Sequence, residues 1–365
     1  MITHHPAPGE SVAVAMSGGV DSSVAAYLLM QSGYRVLGVT MRLWRSAHPP
    51  HDDNASDLAD AEELCAHLGI GHHVVDLREP FRKLVVAPFV AAYAAGRTPN
   101  PCPGCNAAIK FGLLRQAARE MGYPWFATGH YVRISCGPSG TQLWRGRDLS
   151  KDQSYVLYAL PPSILESILF PLGGLLKREV EAIAAAIGLP ARHRAESQDL
   201  CFLPGGEYGD LVRRWAPEGA RPGPIRGIDG ETLGTHRGLA YYTVGQRKGL
   251  GIAAPEPYYV AQMDAASNSL IVAQAAALGK RALEASAMRY AEGRPLPAGS
   301  WVRAKVRYRS AAVGATVWHL GRERARLVFE RSLRDITPGQ AVVLYRGERL
   351  MGGGTIERTL ANEEA

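Results

Sequence analysis

The stretch AVAMSGGVDSS, residues 13–23, constrains the fold of this chain more than any other. Residues 11–16 are small, apolar and partly β-branched, as buried strands are, and they run directly into SGGVDSS at 17–23. An apolar pattern at helical spacing follows and ends at Gly33, a typical residue for a helix C-terminus. The stretch therefore predicts a buried strand, a tight glycine turn and a helix.

Strand and helix patterns alternate through the first part of the chain. Strand patterns fall at 35–40, 73–77 and 125–128, and helix patterns fall at 54–68, 81–95 and 106–121. This alternation predicts an α/β fold with a doubly wound parallel sheet. Ligands bind to such sheets beyond the carboxyl ends of the strands, which is where residues 17–23 fall.

The pattern changes near residue 205, where glycine and proline become frequent and short strands replace helices. A chain of 365 residues exceeds the usual size of one domain, so we expect two or three. We predict a catalytic domain at 1–205, a small central domain at 206–275 and a C-terminal β-barrel domain at 276–365.

Composition narrows the class of protein. Five cysteines are too few for a disulfide scaffold, which favours a reducing compartment. No apolar run is long enough to span a bilayer, and residues 1–10 lack the features of a signal peptide, so we expect a cytoplasmic protein with no membrane contact. The net charge of +7 suits a polyanionic partner but is weak evidence for one.

The glycine turn can bind an anion. Backbone N–H groups of a glycine-rich turn that opens a helix form an anion-binding nest, and the helix dipole reinforces it. The turn matches neither the Walker A pattern nor G-x-G-x-x-G. A plain strand-to-helix turn is the alternative, although its position after the first strand favours binding. Asp21 would repel a phosphate directly, so a role through Mg²⁺ is expected.

Three of the five cysteines are candidates for chemistry. In GRTPNPCPGCNAAIKFG, residues 96–112, the prolines predict an extended segment and Asn106 a helix cap. Cys105 beside that helix start, with Lys110 nearby, should have its thiolate favoured, although a lone cysteine is usually a small buried hydrophobe. Cys102 completes a C-x-x-C pair, and Cys201 lies in a polar loop. Cys65 and Cys136 are predicted to be structural.

Several long motifs give the chain a specific resemblance. They are MSGGVDSS, GRTPNP followed by CN and IKF, ATGHYV, KDQSYVLY, CF, GQRKGLGI, RYR, TPGQ and GGGTI, and they run almost end to end. With these motifs the chain resembles the bacterial tRNA-specific 2-thiouridylases, which are ATP pyrophosphatase (PP-loop) enzymes. The resemblance implies ATP-dependent adenylylation of C2 of the wobble uridine in tRNA, followed by sulfur transfer.

The resemblance also implies roles for individual residues. Cys105 would be the nucleophile and Cys201 the persulfide carrier, and the two would form a disulfide during turnover. ATP would contact Ala15, Met16, Ser17, Gly18, Gly19, Val20, Asp21, Ser22, Met41 and Gly129. Transfer RNA would contact Asn100, Pro101, Cys102, His130, Lys151, Asp152, Gln153, Arg307, Tyr308 and Gln340. The resemblance implies either that the terminal sulfur of a persulfide on Cys201 attacks the base, or that Cys105 first attacks the persulfide and releases hydrosulfide. Both versions require the loop at 190–205 to fold back over residues 96–105.

The implied partners are tRNA, with lysine, glutamate and glutamine acceptors, and a sulfur-relay protein or cysteine desulfurase as persulfide donor. One position departs from the family, because many members have aspartate where this chain has Cys102. The change admits an alternative, an iron–sulfur cluster held by Cys102, Cys105 and Cys201. A different PP-loop enzyme and a non-catalytic RNA-binding protein remain as alternative functions.

Overall fold

The structure is a computed structural model. It describes residues 6–45, 54–137, 140–189, 200–203, 208–321 and 323–360. Within these ranges, no helix is long and apolar enough to cross a membrane.

A five-stranded sheet forms the centre of the first part of the chain. Its strands are β1 (Ser11–Ala15), β2 (Arg35–Arg42), β3 (Gly71–Asp76), β4 (Trp125–Thr128) and β7 (Ile168–Leu169). They pair in the order β3–β2–β1–β4–β7, and every pair is parallel. The chain leaves β1 toward β2 and later returns to its other side as β4, so the carboxyl end of β1 is a topological switch point. The predicted fold class is confirmed.

Helices cover both faces of this sheet, because alternate residues of β1 point to opposite sides. Val12 and Val14 belong to one apolar core and Ala13 to another. The α-helices are α1 (Val20–Gln31), α2 (Ala55–Leu68), α3 (Arg78–Phe81), α4 (Ala87–Ala94), α5 (Cys102–Cys105), α6 (Arg115–Glu120), α7 (Pro162–Leu165), α8 (Lys177–Ala186) and α9 (Tyr208–Trp215). π-Helical turns at Arg82–Val86 and Asn106–Leu114 join α3 to α4 and α5 to α6, and a 3₁₀ turn spans Ser154–Leu157.

A second, smaller sheet follows. Its strands are β8 (Gly223–Gly227), β9 (Thr232–His236), β10 (Tyr258–Asp264) and β11 (Ser269–Gln274). They pair in the order β10–β11–β8–β9 around a core of their own, which includes Ile225, Val260 and Leu270.

The C-terminal part is a closed barrel of six strands. They are β12 (Lys280–Tyr290), β13 (Ser300–Lys305), β14 (Val313–His319), β15 (Ala325–Leu333), β16 (Ala341–Arg346) and β17 (Arg349–Leu360). The barrel closes because β12 pairs with both β15 and β17. A hairpin of β5 (Val132–Gly137) and β6 (Gly140–Arg145) from the first part of the chain joins this sheet at β17. The exact domain limits at 205 and 275 stay a prediction.

One local prediction is wrong, and it concerns the cysteines. The helix starts at Cys102 and not at Asn106, since the backbone N–H of Cys102 donates to Oδ1 of Asn100 and Pro103 occupies the first turn, where proline is tolerated. Asn106 lies inside the helix, and its side chain donates to the carbonyl of Val156. The prolines that predicted an extended segment therefore open a helix.

Candidate functional site

The glycine turn between β1 and α1 has the geometry of an anion nest. Gly18 has φ +73°, a conformation that side chains disfavour, and a Cβ there would lie 2.9 Å from Cβ of Asp60. Ser22 and Ser23 both donate to the carbonyl of Gly19, at 2.9 and 3.1 Å. These bonds hold the turn at the helix N-terminus, where unpaired backbone N–H groups favour an anion.

Met41 and Gly129, which the resemblance also implies for ATP binding, lie at the same edge of the sheet as the glycine turn. Met41 lies near the carboxyl end of β2, and its carbonyl accepts a hydrogen bond from the side chain of Asn54. Gly129 follows β4, and a Cβ there would lie 2.9 Å from both the carbonyl carbon of Asp21 and the nitrogen of Ser22. Only a glycine permits this approach, so the strand edge and the turn form one surface.

An ion pair inside this surface was not predicted. Lys177, at the start of α8, places Nζ 2.8 Å from Oδ1 of Asp21, and the hydroxyl of Tyr131 donates to the same oxygen at 2.8 Å. Lys177 lies far from the glycine turn in the sequence and in none of the motifs, whereas Tyr131 belongs to the ATGHYV motif at 127–132. A lysine beside an anion nest adds positive charge where phosphates would lie.

The cysteine helix consists of α5 and the π-helical turn Asn106–Leu114 that continues it. Cys102 and Cys105 occupy its first turn and are partly buried, and Cys105 packs against the main core of the first part of the chain. Burial raises the pKa of Cys102 to about 11 and that of Cys105 to about 12, with a further increase from the negative charge of Cys201. The expectation that the thiolate of Cys105 is favoured is therefore wrong for this state, although Lys110 lowers both pKa values.

The structure brings the segment that holds Cys201 to the core on which Cys105 packs. Leu200 and Phe202, the neighbours of Cys201, belong to the same apolar core as Cys105, although 96 residues separate Cys201 from Cys105. Phe202 anchors this segment, since its buried ring packs edge-on against Phe81 and Phe89 at centroid distances of 5.7 and 5.3 Å. Cys201 itself is exposed. Of the loop at 190–205, residues 190–199 and 204–205 lie outside the described residues, so its fold-back over residues 96–105 stays a prediction.

Cys65 and Cys136 have no such setting. Cys65 is fully buried in the core between α1 and α2, where burial raises its pKa to about 11. Cys136 lies in strand β5, and its sulfur faces the hydroxyl of Thr141. Among the described residues, no three His, Cys, Asp or Glu side chains are arranged to hold a metal ion.

His130 lies between the glycine turn and the cysteine helix. It follows Gly129, is buried, and its ring lies between Phe111 and Phe170, at centroid distances of 5.8 and 6.2 Å. Nδ1 of His130 is 2.6 Å from the hydroxyl of Thr128. Burial, and then the charge of Lys110, hold its pKa well below the ordinary value, so the ring is neutral at neutral pH.

The KDQ motif, residues 151–153, is hydrogen-bonded to the segments around Tyr131 and Arg145 and stabilises them. Asp152 is buried and accepts from Arg145 at 2.7 Å and from the backbone N–H groups of Gly146 and Ser154. Gln153 exchanges hydrogen bonds with the backbone of Tyr131. Lys151 and Gln153 are partly exposed, whereas Asp152 is buried.

Residues from the barrel complete the surface. Gln340 donates to the carbonyl of Thr98, and Tyr308, which is 39% exposed, packs against the ring of Tyr155. Asn100 bonds to the hydroxyl of Tyr155 through its side chain. The fold thus brings Asn100, Tyr308 and Gln340 to one surface near the cysteine helix, although more than half the chain separates the first from the other two.

A parallel α/β sheet with a glycine turn at the carboxyl end of its central strand is typical of nucleotide-binding enzymes. The sequence profile of the family described as "tRNA methyl transferase HUP domain" matches residues 10–205. Profiles described as "tRNA methyl transferase PRC-barrel domain" and "Aminomethyltransferase beta-barrel domain" match residues 213–274 and 280–356.

Two curated relatives extend the comparison. The chain is 46% identical over 354 residues to the tRNA-specific 2-thiouridylase MnmA of Chloroflexus aurantiacus, which covers 95% of this chain and 98% of the relative. It is 46% identical over 352 residues to the tRNA-specific 2-thiouridylase MnmA of Moorella thermoacetica, which covers 94% and 98%. The chain belongs to the tRNA-specific 2-thiouridylase family.

Solved structures are more distant. The U34-tRNA thiolase NcsA from Methanococcus maripaludis with its 4Fe-4S cluster is 19% identical, with a TM-score of 0.35, and the match covers 54% of this chain and 63% of that one. At these values the likeness carries no argument about function.

Proposed function

We propose that this chain is a tRNA-uridine 2-sulfurtransferase, which uses ATP to replace the C2 oxygen of the wobble uridine with sulfur and releases AMP and pyrophosphate. The observation that carries the proposal is the contact between two sites. Gly129 backs onto the anion nest at Asp21, and the next residue, His130, packs on the cysteine helix at Phe111. A base placed between them meets an activated phosphate on one side and thiols on the other.

We assign ATP to the anion nest and the adjoining strand ends. Its contacts would be Ala15, Met16, Ser17, Gly18, Gly19, Val20, Asp21, Ser22, Met41 and Gly129. The nest supports this assignment because its backbone N–H groups suit a pyrophosphate, and Lys177 supplies a cation beside it. The carboxylate of Asp21 suits Mg²⁺, which when bound would neutralise the phosphates.

Activation of the base needs a new leaving group, because a carbonyl oxygen leaves poorly. The C2 oxygen of uridine attacks the α-phosphorus of ATP, the bond from that phosphorus to the bridging oxygen breaks, and pyrophosphate leaves. The nest and Lys177 stabilise the negative charge that grows on the pyrophosphate. His130, which is neutral and buried, excludes water from the reacting carbon.

Sulfur transfer uses Cys201 and Cys105. The terminal sulfur of a persulfide on Cys201 attacks C2 and AMP leaves; Cys105 then attacks the Sγ of Cys201, so a disulfide forms and the sulfur remains on the base. In the other order, Cys105 attacks the persulfide first and releases hydrosulfide, which attacks C2. Both orders end in a Cys105–Cys201 disulfide, which an external thiol reduces. The exposure of Cys201 supports its role as the acceptor of sulfur from a donor protein.

Transfer RNA would bind across the surface that the catalytic part and the barrel share. We assign its contacts to Asn100, Pro101, Cys102, His130, Lys151, Asp152, Gln153, Arg307, Tyr308 and Gln340. The target base must leave the anticodon stack to reach the thiols, and Asn100 could read its edge. We propose lysine, glutamate and glutamine tRNAs as substrates and a sulfur-relay protein or cysteine desulfurase as donor.

An iron–sulfur cluster on Cys102, Cys105 and Cys201 does not fit the described residues, since these three thiols do not form a group that could hold a metal. Cys102 therefore has no cluster role in this account. Its position two residues after Asn100 makes it a neighbour of the base.

The test is exchange of labelled pyrophosphate into ATP in the presence of unmodified tRNA. We expect exchange that depends on tRNA in the wild type and in Cys105→Ser, because adenylylation precedes sulfur transfer, and loss of exchange in Asp21→Asn. Binding of tRNA with no exchange in the wild type would favour the alternative, a non-catalytic RNA-binding protein.

A further inference from the structure

A turn of the barrel is hydrogen-bonded to the segment that leads into the cysteine helix. The turn Thr337–Gln340 lies between β15 and β16, and we name it the clamp turn. The N–H of Thr98 donates to the carbonyl of Pro338 at 3.1 Å, and the N–H of Asn100 donates to that of Gly339 at 3.4 Å. The side chain of Gln340 donates back to the carbonyl of Thr98 at 2.9 Å. Three hydrogen bonds therefore join two parts of the chain that lie 242 residues apart.

The clamp turn is built for backbone-to-backbone contact. Gly339 has φ +93°, and a Cβ there would lie 2.9 Å from the carbonyl oxygen of Thr98. Any side chain at this position would push Thr98 away or distort the turn. The contact thus depends on the absence of a side chain at Gly339.

The segment bound by the clamp turn, residues 98–100, directly precedes the helix that holds Cys102 and Cys105. Oδ1 of Asn100 accepts from the N–H of Cys102 at 3.1 Å, and the carbonyl of Pro101 accepts from the N–H of Cys105 at 2.9 Å. These two bonds start the cysteine helix. A displacement of Thr98 would therefore move Asn100 and the first helical turn together.

The clamp turn is held from its other side as well. Arg307 is partly buried, and its guanidinium donates to the carbonyl of Asp335 at 2.9 Å and to the hydroxyl of Thr337. The same guanidinium donates to the carbonyl of Val244 at 2.8 Å, next to the GQRKGLGI motif at 245–252. Contacts thus run from the central sheet through the barrel to the cysteine helix.

We propose that the clamp turn is a positioning element for sulfur transfer, in which Gly339 and Gln340 set the place of Asn100 and the cysteine helix. In this structure the side chain of Gln340 binds the carbonyl of Thr98, so Gln340 has a positioning role in addition to the tRNA contact proposed above. The inference rests on the proposed function for its effect on turnover, and it predicts a change in thiol reactivity that needs no tRNA.

The test compares Gly339→Ala with Gly347→Ala. Both glycines lie in the barrel sequence with positive φ, but a Cβ at Gly347, where φ is +60°, would meet nothing within 4 Å. Both variants thus place an alanine at a positive φ, but only Gly339→Ala introduces a close contact with Thr98. Each is assayed for melting temperature, tRNA dissociation constant, kcat at saturating tRNA, and alkylation of Cys102 and Cys105 by iodoacetamide without tRNA.

We expect Gly339→Ala to lower kcat at saturating tRNA by about 10- to 100-fold, a larger change than that in the tRNA dissociation constant, since a small misplacement of reacting groups is costly. Cys102 and Cys105 should alkylate faster by about threefold or more, because the displaced helix turn is less buried. Gly347→Ala should match the wild type in both. Gln340→Glu, which keeps the size but cannot donate to Thr98, should shift the same two quantities in the same direction.

Equal thiol reactivity and equal kcat in Gly339→Ala and Gly347→Ala would overturn the proposal. So would a weaker tRNA affinity with an intact kcat in Gln340→Glu, which would make Gln340 a direct tRNA contact only. If the wild type shows no thiolation but Gly339→Ala alters thiol reactivity, the proposed function is refuted, and the positioning of the cysteine helix by the clamp turn is still supported.

Discussion

The ammonium group of Lys177 lies 2.8 Å from the carboxylate of Asp21, although 156 positions separate the two residues. Asp21 belongs to the glycine turn and Lys177 to the first turn of α8. The lysine is mostly buried, with a side chain that is 17% exposed, so its charge acts in a partly desolvated site. The pair therefore places a cation beside the glycine turn.

Removal of this cation should slow adenylylation. Lys177→Met should lower tRNA-dependent AMP formation on the order of 100-fold, the effect typical of losing one group that stabilises transition-state charge. Lys177→Arg should retain part of the activity because it keeps the charge. The measurement is the initial rate of AMP release at saturating tRNA over a range of ATP concentrations.

The matched control is Lys83→Met, which removes an exposed lysine whose charge acts on Glu79. It should behave as the wild type. An unchanged rate in Lys177→Met would show that the lysine only offsets the charge of Asp21 in the absence of ATP.

Much of the fold could be predicted from the sequence, because apolar periodicity reports burial directly. β4 spans Trp125–Thr128 as predicted, and β1 and β2 match to within two residues. The start of the cysteine helix could not be predicted in this way. There, the side chain of Asn100 and the first-turn Pro103 favour a helix over the extended form that three prolines indicate.

The parts of the site that lie within one sequence motif could be predicted, and the parts that depend on contacts between distant segments could not. The glycine turn is local, so its sequence determines its shape. Lys177 and the contact of Gln340 with Thr98 depend on tertiary packing between distant segments, which periodicity does not report. The high pKa of Cys105 has the same origin, since burial by the surrounding fold outweighs the helix N-terminus and Lys110.

Asp152 should contribute more to stability than to tRNA affinity. It is buried with three hydrogen bonds, so Asp152→Ala should lower the free energy of unfolding by about 2–4 kcal/mol, because it leaves Arg145 and two backbone N–H groups without an acceptor. Urea denaturation measures this change. Lys151→Ala is the matched neighbour, and it should weaken tRNA binding while the unfolding free energy stays the same. A stable Asp152→Ala protein that binds tRNA poorly would contradict the bracing role.

The reactivity of Cys105 without tRNA should depend steeply on pH. Its pKa of about 12 lies above the ordinary value of 9.0, so the thiolate fraction should rise about tenfold per pH unit between about pH 7 and about pH 9 with no plateau. Alkylation rates of the peptide that holds Cys105, followed by mass spectrometry, measure this slope.

Lys110 lowers the pKa of Cys105, so Lys110→Met should slow the alkylation of Cys105 at every pH in this range. Cys136 serves as the internal reference, because Lys110 has no contact with it among the described residues. A plateau near neutral pH would show that the thiolate of Cys105 is already formed without tRNA.

The central claim is a relay between Cys105 and Cys201 beside an ATP site, and one assay tests it most directly. Unmodified tRNA, ATP, Mg²⁺ and a persulfide donor are incubated with each variant, and the nucleosides are analysed by mass spectrometry. We predict 2-thiouridine from the wild type, Cys136→Ser and Cys102→Asp, and none from Cys105→Ser or Cys201→Ser. Full thiolation by Cys105→Ser or Cys201→Ser, or its loss in Cys102→Asp, would contradict the two-cysteine account.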